Sequence, residues 1–304
     1  MKKCIILIAF IFILFSCSIE NNSVQENNTY WKETQDKKVV YTSFYPIYFL
    51  ANSLIWSQAN VINLVPTWWE PHEFEPTLKQ IANMQNSDLI ILNWLWIESY
   101  EEKLMTSVGT WKVIMVSEEL QNLIKLTEEN YWHEHWNTDP HTWLSPKVYL
   151  EMANILAYEL EKRWFKVNKS VILELEKLVL NYDTKLKNCK ENKMLNSHQA
   201  FWYLARDYNF IQHPIMWISP EEEPSTKDIA EAIKLVKENN LKYIFSEEFV
   251  SPKFAQTIKK ETWSEVLILH QLETLWDNEE KVWENYISIM NKNLEKLQIW
   301  LNCK

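Results

Sequence analysis

The chain has 304 residues, of which 47% are hydrophobic and 24% are charged, a composition typical of a folded globular protein. This composition excludes a disordered chain, collagen, a coiled-coil rod and a polytopic membrane protein. The formal net charge of -10 argues against a nucleic-acid partner, because an acidic surface repels phosphates, and four cysteines in so long a chain exclude a disulfide-rich scaffold.

The N-terminus predicts export and lipid anchoring. Lys2 and Lys3 precede an apolar run that is too short to span a bilayer as a helix, so residues 1–16 are predicted to be a signal peptide. The following Leu-Phe-Ser-Cys resembles the bacterial lipobox, which makes Cys17 the predicted lipid anchor. An ordinary secretory signal with an incidental cysteine is the alternative. Residues 17–36 are polar and predict an anchored tether that keeps the folded part near the membrane.

From residue 38 onward, short β-branched runs alternate with helical patterns, which predicts βα units with parallel strands. In the first half the pattern predicts four strands, over 38–41, 60–65, 88–93 and 112–116, with helical segments between them such as 46–55 and 77–85. In the second half, Ser225 and Asp228 form a predicted capping box for a helix to residue 239, and Ser251-Pro252 opens another. The remaining predictions are a last helix over 279–297 and four strands: 193–196, 210–213, 242–246 and 265–270.

The middle of the chain is almost entirely helical in pattern, over residues 146–163 and again over 168–187. The second stretch lacks proline and glycine and predicts a stiff connection rather than a flexible hinge. We therefore predict the α/β class, with two similar βα lobes that contain parallel sheets and are joined by one long rigid helix. The predicted boundaries are 37–167 for the N-terminal lobe, 168–190 for the linker helix and 191–304 for the C-terminal lobe.

The glycine content is abnormal. The chain has a single glycine and 17 tryptophans, although glycine usually makes up about 7% of a protein. Trp68 and Trp69 lie in a proline-flanked loop where a positive φ is expected, and other tryptophans follow helical patterns, where a glycine C-cap belongs. We infer that a codon read here as tryptophan is decoded as glycine in the native cell. A truly tryptophan-rich surface is the alternative.

Three of the seven histidines lie in segments that should follow strands, the edge at which open α/β sheets bind ligands. They are His72, His141 and His198. A lone histidine in a loop is more often exposed or hydrogen-bonded than a ligand, but three imidazoles at corresponding strand ends of two lobes can converge on one cleft. Nitrogen ligands of this kind suit Zn²⁺, and nearby carboxylates could supply a further ligand or fix the ring tautomer.

Seven segments carry a family resemblance once the suspected tryptophans are read as glycine. In the same order, they resemble segments of the zinc-binding lipoproteins of ABC importers, the ZnuA and AdcA group within the TroA-like solute-binding proteins. The resemblance runs from about Val39 to the C-terminus, and Trp143 is the one tryptophan that the family pattern itself places here. The segments are PTWWEPHEFEPT, NWLWIESY, DPHTWLSP, SHQAFWYLA, ISPEEEPS, FSEEFVSPK and LILHQLETL.

The resemblance implies a metal site in the interlobe cleft. His72, His141 and His198 match the first three ligands of the family, and Glu273 is the candidate for the fourth, with His270 as a displaced alternative. Three imidazoles and one carboxylate favour Zn²⁺ as the bound ion over manganese, which prefers oxygen ligands.

An acidic loop before the second ligand contains His133 and His135 and resembles a shortened form of the histidine-rich loop of zinc importers. We predict a possible auxiliary metal site there, with a solvated surface loop as the alternative. The chain has no HExxH, no GxSxG and no glycine-rich phosphate loop, so we do not expect an enzyme.

The function that the resemblance implies is extracytoplasmic capture of Zn²⁺ and its delivery to an ABC permease and its ATPase by a monomer anchored to the membrane through its N-terminal lipid. The alternatives are a manganese-binding member of the same family and a zinc-binding surface adhesin or buffer without a transport role. Once the signal peptide and the anchor are set aside, Cys189 and Cys303 remain. An oxidising compartment would permit them to pair, and two free thiols are the other possibility.

Overall fold

The structure is a computed structural model that describes residues 37–67, 69–124, 138–216, 224–246, 252–275, 279 and 282–304. In its first half, strands and helices alternate as predicted, and the four strands form one parallel sheet in the order β2-β1-β3-β4. Every residue of β3 is buried, as expected for an inner strand of a parallel sheet that is covered on both faces. The elements are β1 (Lys38–Thr42), α1 (Tyr45–Ile55), β2 (Ala59–Asn63), α2 (Leu78–Gln85), β3 (Leu89–Leu92), α3 (Glu101–Val108), β4 (Val113–Met115) and α4 (Gln121–Ile124).

Two helices follow, α5 (Pro146–Lys162) and α6 (Ser170–Lys185). The helix α6 lies within the predicted linker and is about 24 Å long at 1.5 Å per residue. One face of this helix is buried, so the helix is part of the core rather than a solvent-exposed connection. The buried residues recur at helical spacing: Val171, Leu175, Leu178 and Tyr182. Residues 38–304 pack as one compact unit, and the lobe boundaries given above stay predictions.

The second half contains two parallel strand pairs, β5 with β6 and β7 with β8, and a hydrogen bond of 3.4 Å from Ser197 Oγ to the carbonyl of Phe245 connects β5 to β7. The predicted first strand of this half ended too early, because β5 continues to His198, which is its last residue rather than the residue after it. The elements are β5 (Lys193–His198), α7 (Trp202–Tyr208), β6 (Ile211–Met216), α8 (Thr226–Asn239), β7 (Tyr243–Ser246), α9 (Pro252–Thr262), β8 (Glu265–Ile268) and α10 (Tyr286–Trp300).

The last helix was also predicted to begin too early. It starts at Tyr286 because Asn285 and Ser288 form a capping box, in which each side chain accepts a hydrogen bond from the backbone N–H of the other. The predicted capping box of Ser225 and Asp228 is confirmed, and it opens α8 as expected.

The hydrophobic core joins the two halves. One cluster of buried side chains extends from Val40 on β1 through α5 and α6 to Leu301 after α10, and a smaller cluster that includes Val236 and Ile258 lies beneath α8 and α9. A disulfide joins Cys189, just before β5, to Cys303, so the paired alternative is the one observed. Within the part of the chain that the structure describes, no helix combines the length and the apolarity needed to cross a membrane.

The tryptophans divide into two groups. Among the described residues, six tryptophans have a positive φ, a region that residues with a β-carbon seldom adopt: Trp56, Trp94, Trp96, Trp164, Trp263 and Trp283. Three of these six follow helix ends, the same position that Gly109 takes after α3 with φ 83°. After α5, the N–H of Phe165 bonds to the carbonyl of Leu160 across Trp164, the closure of a helix that normally uses glycine.

By contrast, Trp143 and Trp300 are buried, which is the environment of a true indole side chain. Trp69 is 40% exposed, and Trp68 lies outside the described residues. These observations favour glycine at the exposed positions with positive φ, and the decoding hypothesis stays a prediction.

Candidate metal centre

His72 is presented by a short 3-10 turn over Pro71–Glu73, in the long loop after β2. Glu70 begins this turn, and its Oε1 accepts a hydrogen bond of 3.1 Å from the backbone N–H of His72. The side chain of Glu70 is itself buried, so a residue of the same loop stabilises the turn.

His141 is fully buried and follows Asp139 and Pro140 in the sequence. The carboxylate oxygen Oδ1 of Asp139 lies 2.7 Å from Nδ1 of His141 and also accepts a hydrogen bond of 2.8 Å from its backbone N–H. A carboxylate can only accept, so this contact places the ring proton on Nδ1 and leaves the lone pair of Nε2 available for a metal.

Asn93, directly after β3, forms hydrogen bonds with the segment that carries His141. Its Nδ2 donates to the carbonyl of Pro140 at 3.1 Å, and its Oδ1 accepts hydrogen bonds of 3.1 Å from Ser117 and from Thr142. Sequence reasoning missed these residues. The signal that could have found them is their polar character at the carboxyl ends of two predicted strands, where parallel sheets place their functional groups.

The loop after Asn93 is held by Glu98, whose two oxygens accept hydrogen bonds from the backbone N–H groups of Asn93 (2.7 Å) and Trp94 (3.0 Å). Burial raises the pKa of Glu98 to about 7, against the opposing effect of these hydrogen bonds. The same loop contains Trp94, Leu95 and Trp96, all with positive φ. Glu98 thus stabilises a backbone conformation that the printed residues disfavour.

His198 is buried at the end of β5, and its Nε2 lies 3.5 Å from Nε2 of His141. The side-chain amide of Gln271 lies 2.7 Å from Nδ1 of His198. The backbone carbonyl of Gln271 accepts a hydrogen bond of 2.7 Å from the indole N–H of Trp143. The segment after β8 is therefore fixed both to His198 and to the segment that carries His141.

Glu273 is buried on the segment after β8, and its Oε1 lies 3.7 Å from Nε2 of His141. The hydroxyl of the next residue, Thr274, donates a hydrogen bond of 2.7 Å to the carbonyl of Thr67 in the loop that carries His72. This contact ties the two segments together beside the candidate site.

The other candidate on this segment, His270, has different partners. Its Nδ1 accepts a hydrogen bond of 2.8 Å from the N–H of Leu272, and its Nε2 lies 3.2 Å from Glu279. Through these contacts His270 stabilises the turn that carries Glu273.

Three of the four predicted ligands converge. His72, His141 and Glu273 each offer an atom within 4.8 Å of the others, and among the described residues no other group of three or more such side chains does so. The Nε2 atoms of His72 and His141 are 3.3 Å apart. His198 lies next to His141, but its ligand atoms do not lie within 4.8 Å of those of every member of the group.

Burial keeps the rings of His72 and His141 neutral. Burial lowers the pKa of His72 well below its usual value, and repulsion from His141 and His198 adds to the effect. The pKa of His141 is lowered for the same reasons, by burial and then by His198. Burial raises the pKa of Asp139 to about 7, partly offset by the hydrogen bond from the backbone of His141. Neutral imidazoles beside a buried carboxylate are a donor set that fits a borderline divalent ion such as Zn²⁺.

Three of the predicted positions cannot be placed. Cys17, His133 and His135 lie outside the described residues. The lipid anchor and the auxiliary histidine loop therefore stay predictions from the sequence.

Comparisons with known proteins give one consistent result. The family model described as "Zinc-uptake complex component A periplasmic" (ZnuA) matches residues 40–299. The zinc-binding lipoprotein AdcA of Streptococcus pneumoniae is 32% identical over 313 residues, which cover 98% of this chain and 61% of that protein. The chain thus spans about three fifths of the length of this relative.

A shorter relative matches nearly end to end. The high-affinity zinc uptake system protein ZnuA of Bacillus subtilis is 34% identical over 280 residues, which cover 86% of this chain and 87% of that one. Among solved structures, the Zn(II)-bound ZnuA-like domain of S. pneumoniae AdcA aligns with a TM-score of 0.73 and 32% identity, over 88% of this chain and 99% of that domain.

Proposed function

The chain belongs to the ZnuA family of zinc-uptake components, and from this premise we propose that it captures Zn²⁺ outside the cytoplasm and delivers it to an ABC-type membrane importer. The observation that carries this proposal is the buried convergence of ligand atoms from His72, His141 and Glu273 within 4.8 Å of one another. The family consists of solute-binding proteins, and capture of the ion requires a site that holds it without turnover.

We propose that His198 completes the ligand set. The first half of the chain would then supply His72 and His141, and the second half His198 and Glu273, so that a bound ion cross-links the two halves. Four protein ligands fill the tetrahedral shell that Zn²⁺ prefers, whereas a catalytic zinc keeps a position for water. The proposed set therefore favours binding over catalysis.

The same donor set favours zinc over manganese. Manganese sites are rich in carboxylate, carbonyl and water oxygens, whereas here three of the four proposed donors are imidazole nitrogens. Asp139 is engaged with Nδ1 and the backbone of His141, so it acts as the partner of a ligand rather than as a second oxygen ligand.

Uptake and release would involve small movements. Bonds between the halves surround the site: Trp143 donates to the carbonyl of Gln271, and the hydroxyl of Tyr203 on α7 donates to the carbonyl of Asp139 at 2.7 Å. The linker helix α6 is packed into the shared core. These contacts favour local shifts of the ligand segments over a wide hinge closure.

The proposed partners are an ABC permease and its ATPase, with Cys17 holding the protein at the membrane through lipid. Incorporation of labelled fatty acid into the full chain tests the anchor, and Cys17→Ala should abolish it. A surface adhesin or zinc buffer is the remaining alternative. Zinc uptake by cells that lack the chain but retain the permease separates the two, because a buffer leaves uptake unchanged.

Metal binding by the full chain tests the central proposal. Protein purified without added metal should contain zinc in preference to manganese. His141→Ala should weaken zinc binding by more than about 100-fold, since even loss of a residue that supports a ligand costs 10–100-fold. The matched control is His213→Ala on β6, a histidine that belongs to no metal-ligand group among the described residues. Equal losses in the two variants would overturn the site.

A further inference from the structure

The side chain of Gln271 lies against the edge of the His198 ring. Its amide nitrogen is 2.7 Å from Nδ1 and 3.4 Å from Nε2 of that ring. Gln271 is buried, and its backbone carbonyl is held by the indole N–H of Trp143. The amide is therefore held beside His198.

The identity of the amide group that faces Nδ1 decides what His198 can do. A neutral imidazole has one N–H and one lone pair, so an amide N–H that donates to Nδ1 places the ring proton on Nε2. With its proton on Nε2, the ring has no lone pair to offer a metal on that side. If the amide turns by half a rotation, its oxygen accepts from Nδ1–H and the lone pair of Nε2 becomes available.

His141 provides the contrast. Its Nδ1 faces the carboxylate of Asp139, which only accepts hydrogen bonds, so its Nε2 is fixed as an acceptor. His198 faces a group that can donate or accept. It is also the predicted ligand that stands outside the group of three whose ligand atoms lie within 4.8 Å of one another.

We propose that Gln271 is the positioning residue that sets the tautomer of His198, and that its amide turns over when zinc binds, so that its carbonyl oxygen accepts from Nδ1–H and Nε2 becomes a ligand. This inference rests on the proposed function of the site. In this arrangement His72, His141 and Glu273 receive the ion first, and His198 joins after the amide has turned. Gln271 thus acts through His198 and does not itself contact the metal.

Two substitutions separate this role from simple packing. Gln271→Glu replaces the amide by a group that only accepts, so His198 should carry its proton on Nδ1 before any metal is added, and zinc should bind at least as tightly as to the wild type. Gln271→Met keeps the length of the side chain and removes the partner, so zinc binding should weaken by about 10-fold or more. The control is Gln58→Met, which removes a glutamine amide that bonds to the carbonyls of Ile55 and Lys166, far from the histidines in sequence.

The readouts are zinc affinity of the full chain and the ¹⁵N chemical shifts of the His198 ring, with thermal melting of the metal-free variants to verify folding. The expected result is a proton on Nε2 in the metal-free wild type and on Nδ1 in metal-free Gln271→Glu. Identical tautomers in these two proteins, or zinc affinity of Gln271→Met within twofold of the wild type, would overturn the inference. The tautomers are read without metal, so this outcome is distinct from a wild-type chain that fails to bind zinc, which would instead overturn the proposed function.

Discussion

Replacing three exposed tryptophans by glycine should stabilise the protein. Trp164, Trp263 and Trp283 have φ of 66°, 61° and 61° and are 91%, 91% and 89% exposed. A left-handed conformation costs an ordinary residue about 1–2 kcal/mol, and glycine avoids this cost. Glycine also has more conformational freedom in the unfolded chain, which lowers the free energy of unfolding by about 0.5–1 kcal/mol. No burial is lost at these sites, so each substitution should add about 0.5–1 kcal/mol to the free energy of unfolding.

If the three sites act independently, the triple variant should gain about 1.5–3 kcal/mol. For a protein of this size that gain corresponds to a rise in Tm of about 2–5 °C, measured by circular dichroism on heating. The control is Trp111→Gly, which removes an indole that is 72% exposed in the 3-10 turn Thr110–Lys112, where φ is not positive. This variant should lose stability. A triple variant that melts at or below the wild-type temperature would refute the reasoning about backbone strain.

The origin of these tryptophans is tested on native material. Proteolytic peptides of protein from the native cell that contain residue 164, 263 or 283 should be lighter than the printed sequence specifies, because each decoded glycine replaces a much heavier residue. Peptide masses equal to those of the printed sequence would refute the decoding hypothesis, while the prediction about stability would stand or fall by itself.

Four further outcomes are expected. Asp139→Ala should weaken zinc binding by about 10–100-fold, because it removes the acceptor that orients His141, and isothermal titration measures the change; an unaltered affinity would contradict that role. Urea titrations of Glu98→Gln and of the wild type give the difference between their free energies of unfolding. From pH 5 to pH 8 this difference should change by about 2–3 kcal/mol in favour of the variant. The wild-type carboxyl has its pKa raised to about 7, so the stability it contributes at low pH is lost as pH rises through that value, and a pH-independent difference would show that it does not titrate in this way. Zinc affinity should fall on acidification, but only well below the usual imidazole pKa of about 6.5, because burial lowers the pKa values of two of the proposed histidine ligands; an affinity that already falls steeply between pH 8 and pH 6.5 would contradict these lowered pKa values. Replacing both Cys189 and Cys303 by alanine should cost up to about 4–5 kcal/mol, since their disulfide closes a sequence separation of 114 residues, and a variant that unfolds at the wild-type urea concentration would contradict this.

Local patterns were sufficient to predict most of the fold. Alternating β-branched and helical segments predicted the parallel strands, and the capping box of Ser225 and Asp228 located α8. The start of α10 was wrong because the corresponding signal at Asn285 and Ser288 was overlooked. The end of β5 was wrong because the polar residues Ser197 and His198 do not look like strand interior, although pairing with β6 carries the strand to His198.

The candidate site was predictable only in part. The histidines stand in recognisable segments, but the supports of His141 are distant in sequence: Asn93 precedes it by 48 positions and Gln271 follows by 130. Their contacts exist only once the strand ends are brought together, so a local pattern could mark Asn93 as a polar residue at a strand end but could not reveal its partners. The same holds for the choice between Glu273 and His270, which depends on the backbone turn that directs one side chain toward the histidines and the other toward Glu279.

The indole of Trp143 donates to the carbonyl of Gln271, and the hydroxyl of Tyr286 donates to the carbonyl of Trp143; both bonds form without any metal. Folding alone therefore brings the donor atoms of His72, His141 and Glu273 together, and only local shifts would be left for the chain to make when an ion binds. A site assembled in advance would also select by size, because an ion that prefers longer bonds or more ligands gains little from entering it.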